Sequence, residues 1–298
     1  MVRVGWGAPS FLICCVDRQR RASGVRKFSD EVMNAVSPET RKSLIAFGES
    51  IARAEGVLRE YHAAVPSAFT GQAAASRATI RENARLVFTM TWTKAVLFSR
   101  AVVDSVNDGN LLVAFQALRS YVELVAAIRF TVKRMEPLVK EAVARGQVSH
   151  EMARSIANHM QVLLHGGRFN WATYFEEGAA AVVDRKRMKR TRQDKQRFET
   201  NSLRIGKRID DWGKESPAAE FIYDYLTDLV HPNKGSNLVI LAEREGGPVF
   251  DLAGSRMGMV IFERIFPYAA SMCIRGMKDF QPFFAMLGAD ELEEAGTH

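Results

Sequence analysis

A chain of 298 residues with 47% hydrophobic and 25% charged side chains has an ordinary globular composition and can bury a core without cross-links. Its three cysteines, Cys14, Cys15 and Cys273, lack C-x-x-C spacing, which argues against a disulfide framework or structural zinc and for a reducing compartment. The net charge of +7 is local: residues 184–208 hold eleven Lys or Arg against Asp184, Asp194 and Glu199, leaving the remainder close to neutral.

Residues 1–36 show no sustained helical period and carry the basic cluster Arg18, Arg20, Arg21, Arg26 and Lys27. They are expected to be poorly ordered, with Met33 a candidate true start. The run FLICCV (Phe11–Val16) is too short for a signal-peptide core, and arginines follow it where a cleavage site should be. On this reading no apolar stretch of about 18 residues is present, so no spanning helix and a cytoplasmic location are expected.

Ser37-Pro38-Glu39 starts a helix, with Ser as N-cap, Pro at the first helical position and an acid in the first turn. Leu44, Phe47, Ile51, Ala54, Leu58, Tyr61 and Val65 then recur at spacings of three and four, a seam for another helix to pack on, and this first helix ends near Pro66. The next helix covers Ser76 to Val106, its stripe being Ile80, Ala84, Val87, Thr91, Ala95, Phe98 and Val102. After the turn Asn107–Asn110, a third helix spans Leu111 to Met135, and Pro137 marks a break or kink. A fourth runs from Ser149 to the glycines after His165. Two helical pieces fit residues 170–212, and Ser216-Pro217 opens another helix to His231. NLVIL (Asn237–Leu241) and PVFDL (Pro248–Leu252) read as a hairpin, and a final helix, Met257 to Leu287, bends at Pro267. The predicted fold is all-α: long antiparallel helices over residues 37–288, one small β-hairpin before the last helix, and a flexible tail from 289 to 298.

Two places carry chemistry. On the third helix, apolar on almost every side, Gln116, Arg119, Ser120 and Glu123 share about a third of the circumference, with apolar Ala127 and Phe130 beyond them. Arg119 and Glu123, at i and i+4, would pair, either as an internal salt bridge that fixes register or as the floor of a site. On the helix ending at His231, Phe221, Ile222, Tyr225, Leu226 and Leu229 form the expected apolar face, with Asp224, Asp228 and His231 opposite. A helix C-terminus and two carboxylates would both favour the imidazolium, raising His231 from about 6.5 and suiting it to general acid chemistry. The plainer alternative is a helix end, capped by His and stopped by Pro232. His150, His159 and His165 lack the spacing of metal ligands on one helical face, so no metal site is expected. Phosphate-loop, nucleophile-elbow and dinucleotide motifs are missing as well.

ALRSYVELVAAIRF (Ala117–Phe130), followed a hundred residues later by YDYLTDLVHPNKGSN (Tyr223–Asn237), resembles a family of bacterial all-helical proteins of uncharacterised activity. The pattern of that family is an R-S-x-x-E helix and a later helix ending in V-H-P. This resemblance marks Arg119, Glu123, Thr227 and His231 as the family positions, and implies that they converge. More distantly, a late histidine in a helical bundle is similar to the HEPN superfamily of prokaryotic RNases and nucleotide-binding domains. The arginine of that RNase motif has no counterpart ahead of His231, and Arg119 from another helix would stand in for it.

Two functions follow as expectations. One is a metal-independent RNase or RNA-processing effector of toxin or defence type. In it His231 is the acid or base, Arg119 stabilises the phosphorane, and Glu123 orients either. Arg185, Lys186, Arg187, Lys189, Arg190, Arg192, Lys195 and Arg197 hold the phosphate backbone. The other is a non-enzymatic helical module that binds nucleic acid or a partner protein. RNA or another nucleic acid and a second copy of the chain are the expected partners, with no cofactor and no membrane.

Overall fold

The computed structural model describes residues 26–62, 77–145, 148–165, 205–250 and 255–288. In chain order the elements are α1 (Asp30–Ala35), α2 (Pro38–His62), α3 (Arg77–Asn107), α4 (Leu111–Arg145), α5 (His150–His165), α6 (Ile205–Gly213), α7 (Pro217–Val230), α8 (Lys234–Ile240), β1 (Leu241–Arg244), β2 (Gly247–Phe250) and α9 (Arg256–Gly288). The protein is all-α, with one two-stranded antiparallel hairpin before the last helix.

The apolar periods dictate the packing. Leu44, Phe47, Ile51 and Leu58 of α2 are buried, as are Ile80, Ala84, Val87, Thr91, Ala95 and Val102 of α3. Ser37 caps α2, accepting from the Thr40 amide at 3.3 Å. α4 is the central helix and packs against α3, α5, α6, α7 and α9. It does not end at Pro137: the helix continues to Arg145, with Val139 and Ala142 buried. Proline removes only the amide that would bond to the carbonyl of exposed Lys133, where water can serve it, while core packing continues on the other face.

The segment before Met33 is not without structure throughout. From Arg26 onward the chain is stitched to the bundle: Asn107 accepts from the Ser29 amide at 2.8 Å and donates to the Lys27 carbonyl at 3.0 Å. Ser29 caps α1, and Phe28, Val32 and Val36 are buried. A helix of six residues is too short to display a period, which is why composition alone suggests a loop here. The expectations for residues 1–25, 166–204 and 289–298 lie outside the described residues.

The hairpin is shifted from its expected position. Asn237–Ile240 belongs to α8, whose N-cap Asn233 accepts from the Gly235 and Ser236 amides while Ser236 Oγ accepts from the Asn233 amide. This capping box outweighs the strand preference of the aliphatic run that follows. The strands pair Leu241 with Phe250 and Arg244 with Gly247, around a two-residue turn in which Gly246 has φ +105°. Ser255 Oγ then ties the two neighbouring helices together, accepting from the Gly258 amide and donating to the Val239 carbonyl at 2.9 Å.

Three helices are long and apolar enough, by length and composition, to cross a bilayer: Asn83–Asn107, Leu111–Arg145 and Arg256–Phe284. This corrects the expectation that no such stretch exists. Isolated charges interrupt each run without bringing down the mean hydropathy of an 18-residue window. In the bundle 56%, 61% and 50% of those windows are buried.

Candidate functional site

The polar island of α4 faces α7. Arg119 Nη2 lies 3.1 Å from Glu123 Oε1 and donates to the Tyr223 hydroxyl at 3.2 Å, while that hydroxyl donates to Glu123 Oε1 at 3.2 Å. The Arg119 guanidinium also sits over the Tyr223 ring, 5.3 Å from its centroid. The side chains of Arg119 and Glu123 are 18% and 27% exposed, so the group opens partly to solvent instead of lying in the deep core. Gln116 and Ser120 line its outer edge, with 3.5 Å between the Gln116 amide nitrogen and the Ser120 hydroxyl.

Helix α7 runs antiparallel to α4. At its start Glu215 pairs with Arg129 and Lys133, and two turns on Tyr223 meets Arg119 and Glu123. Its buried face is Ala219, Ile222, Leu226 and Leu229. Phe221, expected on that face, is 62% exposed; it lies about 100° off Ile222 and packs on Tyr225 at 6.0 Å. Thr227 lies one turn beyond Tyr223 on the same ridge. Its Oγ1 and the Nε of Arg119 are both buried, with no hydrogen-bond partner among the described residues. Such atoms call for water or a ligand.

The structure therefore joins Arg119 and Glu123 with Tyr223, a residue the sequence did not single out. Its partners are 104 and 100 residues away, and nothing local distinguishes its phenol from a core aromatic. His231 stands apart from the hydrogen-bonded group. It is the exposed C-cap of α7, its amide donating to the Thr227 carbonyl at 3.2 Å, and it lies eight residues past Tyr223, about 12 Å along the helix axis. No ion pair or hydrogen bond of its imidazole occurs among the described residues. Asp228, one of the carboxylates expected to serve it, instead accepts from Asn233 Nδ2 at 2.7 Å. It crowds Gly235, where a Cβ would come within 2.1 Å of Asp228 Oδ2, so its role is to hold the start of α8.

Arg185, Lys186, Arg187, Lys189, Arg190, Arg192, Lys195 and Arg197 lie outside the described residues. Arg208, at the end of the same basic segment, is 6% exposed and does not face solvent. It donates to the Ala127 carbonyl at 3.2 Å and covers the Phe130 ring, and burial together with Arg134 pushes its pKa down to about 10. It is a structural arginine that joins α6 to α4.

Of the other histidines, His150 is exposed and His159 half-buried on α5. Burial, and then the nearby Arg134, hold His159 below its ordinary value. The unfolded chain thus binds more protons than the folded one just below about pH 6.5, and stability falls as the pH drops through that range. His159→Gln removes this contribution. The melting temperature of the wild type should therefore fall more steeply than that of the variant between about pH 7 and pH 5; parallel curves would show that His159 does not report its surroundings.

No family profile, curated protein or solved structure matches the chain.

Proposed function

We propose that the α4–α7 seam handles a phosphodiester of RNA, and that the protein is a metal-independent RNase or RNA-processing effector of toxin or defence type. The observation that carries this reading is the pair of buried, unpartnered polar atoms, Arg119 Nε and Thr227 Oγ1, on two helices that face one another. Both are donors, and the oxygens of a phosphate are acceptors that suit them. Glu123 and Tyr223 hold the guanidinium from behind, so that its charge is fixed before substrate arrives. The 2′-hydroxyl attacks the adjacent phosphorus while the P–O5′ bond breaks, and Arg119 balances the charge that builds on the phosphorane. His231, at the exposed end of α7, gives or takes the proton, with water as its counterpart. The basic residues from Arg185 to Arg197 supply non-specific attraction to the backbone.

The test is cleavage of single-stranded RNA in the presence of a chelator. His231→Ala and Arg119→Ala should each lower the rate by at least about 100-fold while RNA is still bound. Wild-type rates in His231→Ala, or no cleavage by the wild type, overturn the enzymatic reading.

A second reading is favoured by one observation. The Arg119–Glu123–Tyr223 group already satisfies its own charge, and His231 shares no hydrogen bond with it. On that reading the group is a clasp between α4 and α7, and the protein binds nucleic acid or a partner without chemistry. RNA affinity that falls steeply with salt, unchanged in His231→Ala and accompanied by no cleavage by the wild type, would be its signature.

A further inference from the structure

On the face of α4 opposite Arg119 and Glu123, Tyr121 forms the inner wall of a pocket of about 180 Å³ between α2, α3, α4 and α9, partly open to solvent. Trp92 of α3 and Ala54 of α2 give it apolar walls, while Arg53, Lys278 and Gln281 stand at its mouth. Trp92 is 3% and Tyr121 4% exposed, so both rings are fixed parts of the core. Phe88 stacks on the indole at 4.1 Å and holds its plane. The two cations at the mouth belong to different helices, and both reach solvent. Arg53 has a single long contact with Glu49 at 3.7 Å, and no ion pair of Lys278 occurs among the described residues.

We propose that this cavity binds a small amphipathic carboxylate: one aromatic ring against Trp92 and Tyr121, with its anionic end between Arg53 and Lys278. Size, polarity and charge each point to that class. A cavity of about 150 Å³ lined by apolar side chains admits benzene, so one of about 180 Å³ has room for a single ring, with a short substituent toward its open side. The inner walls offer little to a polar headgroup, which directs the apolar end inward. Two cations against one carboxylate at the mouth favour a negative charge there, and Gln281 adds an amide donor. The pocket shares no side chain with the α4–α7 seam, so the two proposals stand or fall separately.

Phenylacetate is the probe and phenylacetamide its uncharged analogue. Calorimetric titration of the full chain should give one site for phenylacetate, with affinity at least about fivefold weaker for phenylacetamide and for the Arg53→Gln/Lys278→Gln variant. Both substituted residues lie on the surface, so that variant keeps its fold, which circular dichroism verifies. Ala54→Trp fills the cavity from a half-buried position and should abolish binding. Saturation of Trp92 quenching at the same concentration in the wild type, lost in Trp92→Phe, fixes the location. Absence of binding by the folded wild type at millimolar phenylacetate overturns the proposal. So does affinity that is equal for the two probes, or unchanged in Ala54→Trp.

Discussion

Replacing Phe266 with alanine lowers the free energy of unfolding by about 4 kcal/mol. The ring is fully buried where three elements meet: it stacks on Phe262 at 4.7 Å, meets Phe47 of α2 edge-on at 5.3 Å, and meets Phe28, just before α1, at 6.0 Å. Truncation loses the transfer energy of the ring, and leaves a void that long helices packed on several sides cannot collapse to fill. Because whole domains are stable by only about 5–15 kcal/mol, this single change removes a large share of the total. Denaturant titration should show a lower midpoint with an unchanged slope. Phe221→Ala is the matched control: that ring is 62% exposed, and its loss should shift stability by no more than about 0.5 kcal/mol. Equal effects of the two substitutions would contradict the assignment of α7 and α9 faces.

The second large effect comes from adding an atom. Gly276 lies where α9 crosses α4, and a Cβ there would stand 2.4 Å from Val125 Cγ1. Two effects compete in Gly276→Ala. Alanine favours the helix by about 1 kcal/mol over glycine, whereas overpacking costs about 1–3 kcal/mol. The clash should win, because valine is held to one χ1 rotamer in a helix and cannot swing aside. A net loss of about 1 kcal/mol, rising to about 2 at the upper end of the clash cost, is expected. In a Val125→Ala background the obstructing methyl is gone, and Gly276→Ala should become neutral or stabilising. The coupling across this double-mutant cycle, about 1–3 kcal/mol, is the quantity to measure. Additive effects would mean that the two helices do not approach closely at this point.

What could be read from the chain, and what could not, divides along a physical line. The α2 and α3 stripes were legible because burial on one side of a long helix imposes a period, and many turns repeat it. The Ser37 cap and the Arg119–Glu123 pair were legible because each involves residues three or four apart. α8 was misread although its capping box was present, since Leu238, Val239, Ile240 and Leu241 give a strand signal of the same length. Pro137 suggests a break that α4 does not have: the penalty it imposes depends on which way the orphaned carbonyl faces, and the rotation of α4 in the bundle is a tertiary property. Tyr223 shows the limit for the site. Its spacing assigns it to a helix, but only the antiparallel docking of α7 on α4 makes its hydroxyl the bridge between a guanidinium and a carboxylate. For His231 the pattern marks a helix end with Asp224 and Asp228 beside it; the imidazole is exposed there, and Asp228 is engaged with Asn233, a partner beyond the helix that no periodicity reveals.

The Ser37 amide is bonded to the Glu263 carboxylate, 226 residues further along the chain, and Phe47 is completed by Phe266 in the same region. On the ribosome, at about 5–20 residues per second, the first hydrophobic seam would therefore wait roughly ten to forty-five seconds for its closing partner. Until then the apolar face of α2 lacks its α9 partner. The N-terminal core of this fold is thus sealed only once α9 has emerged.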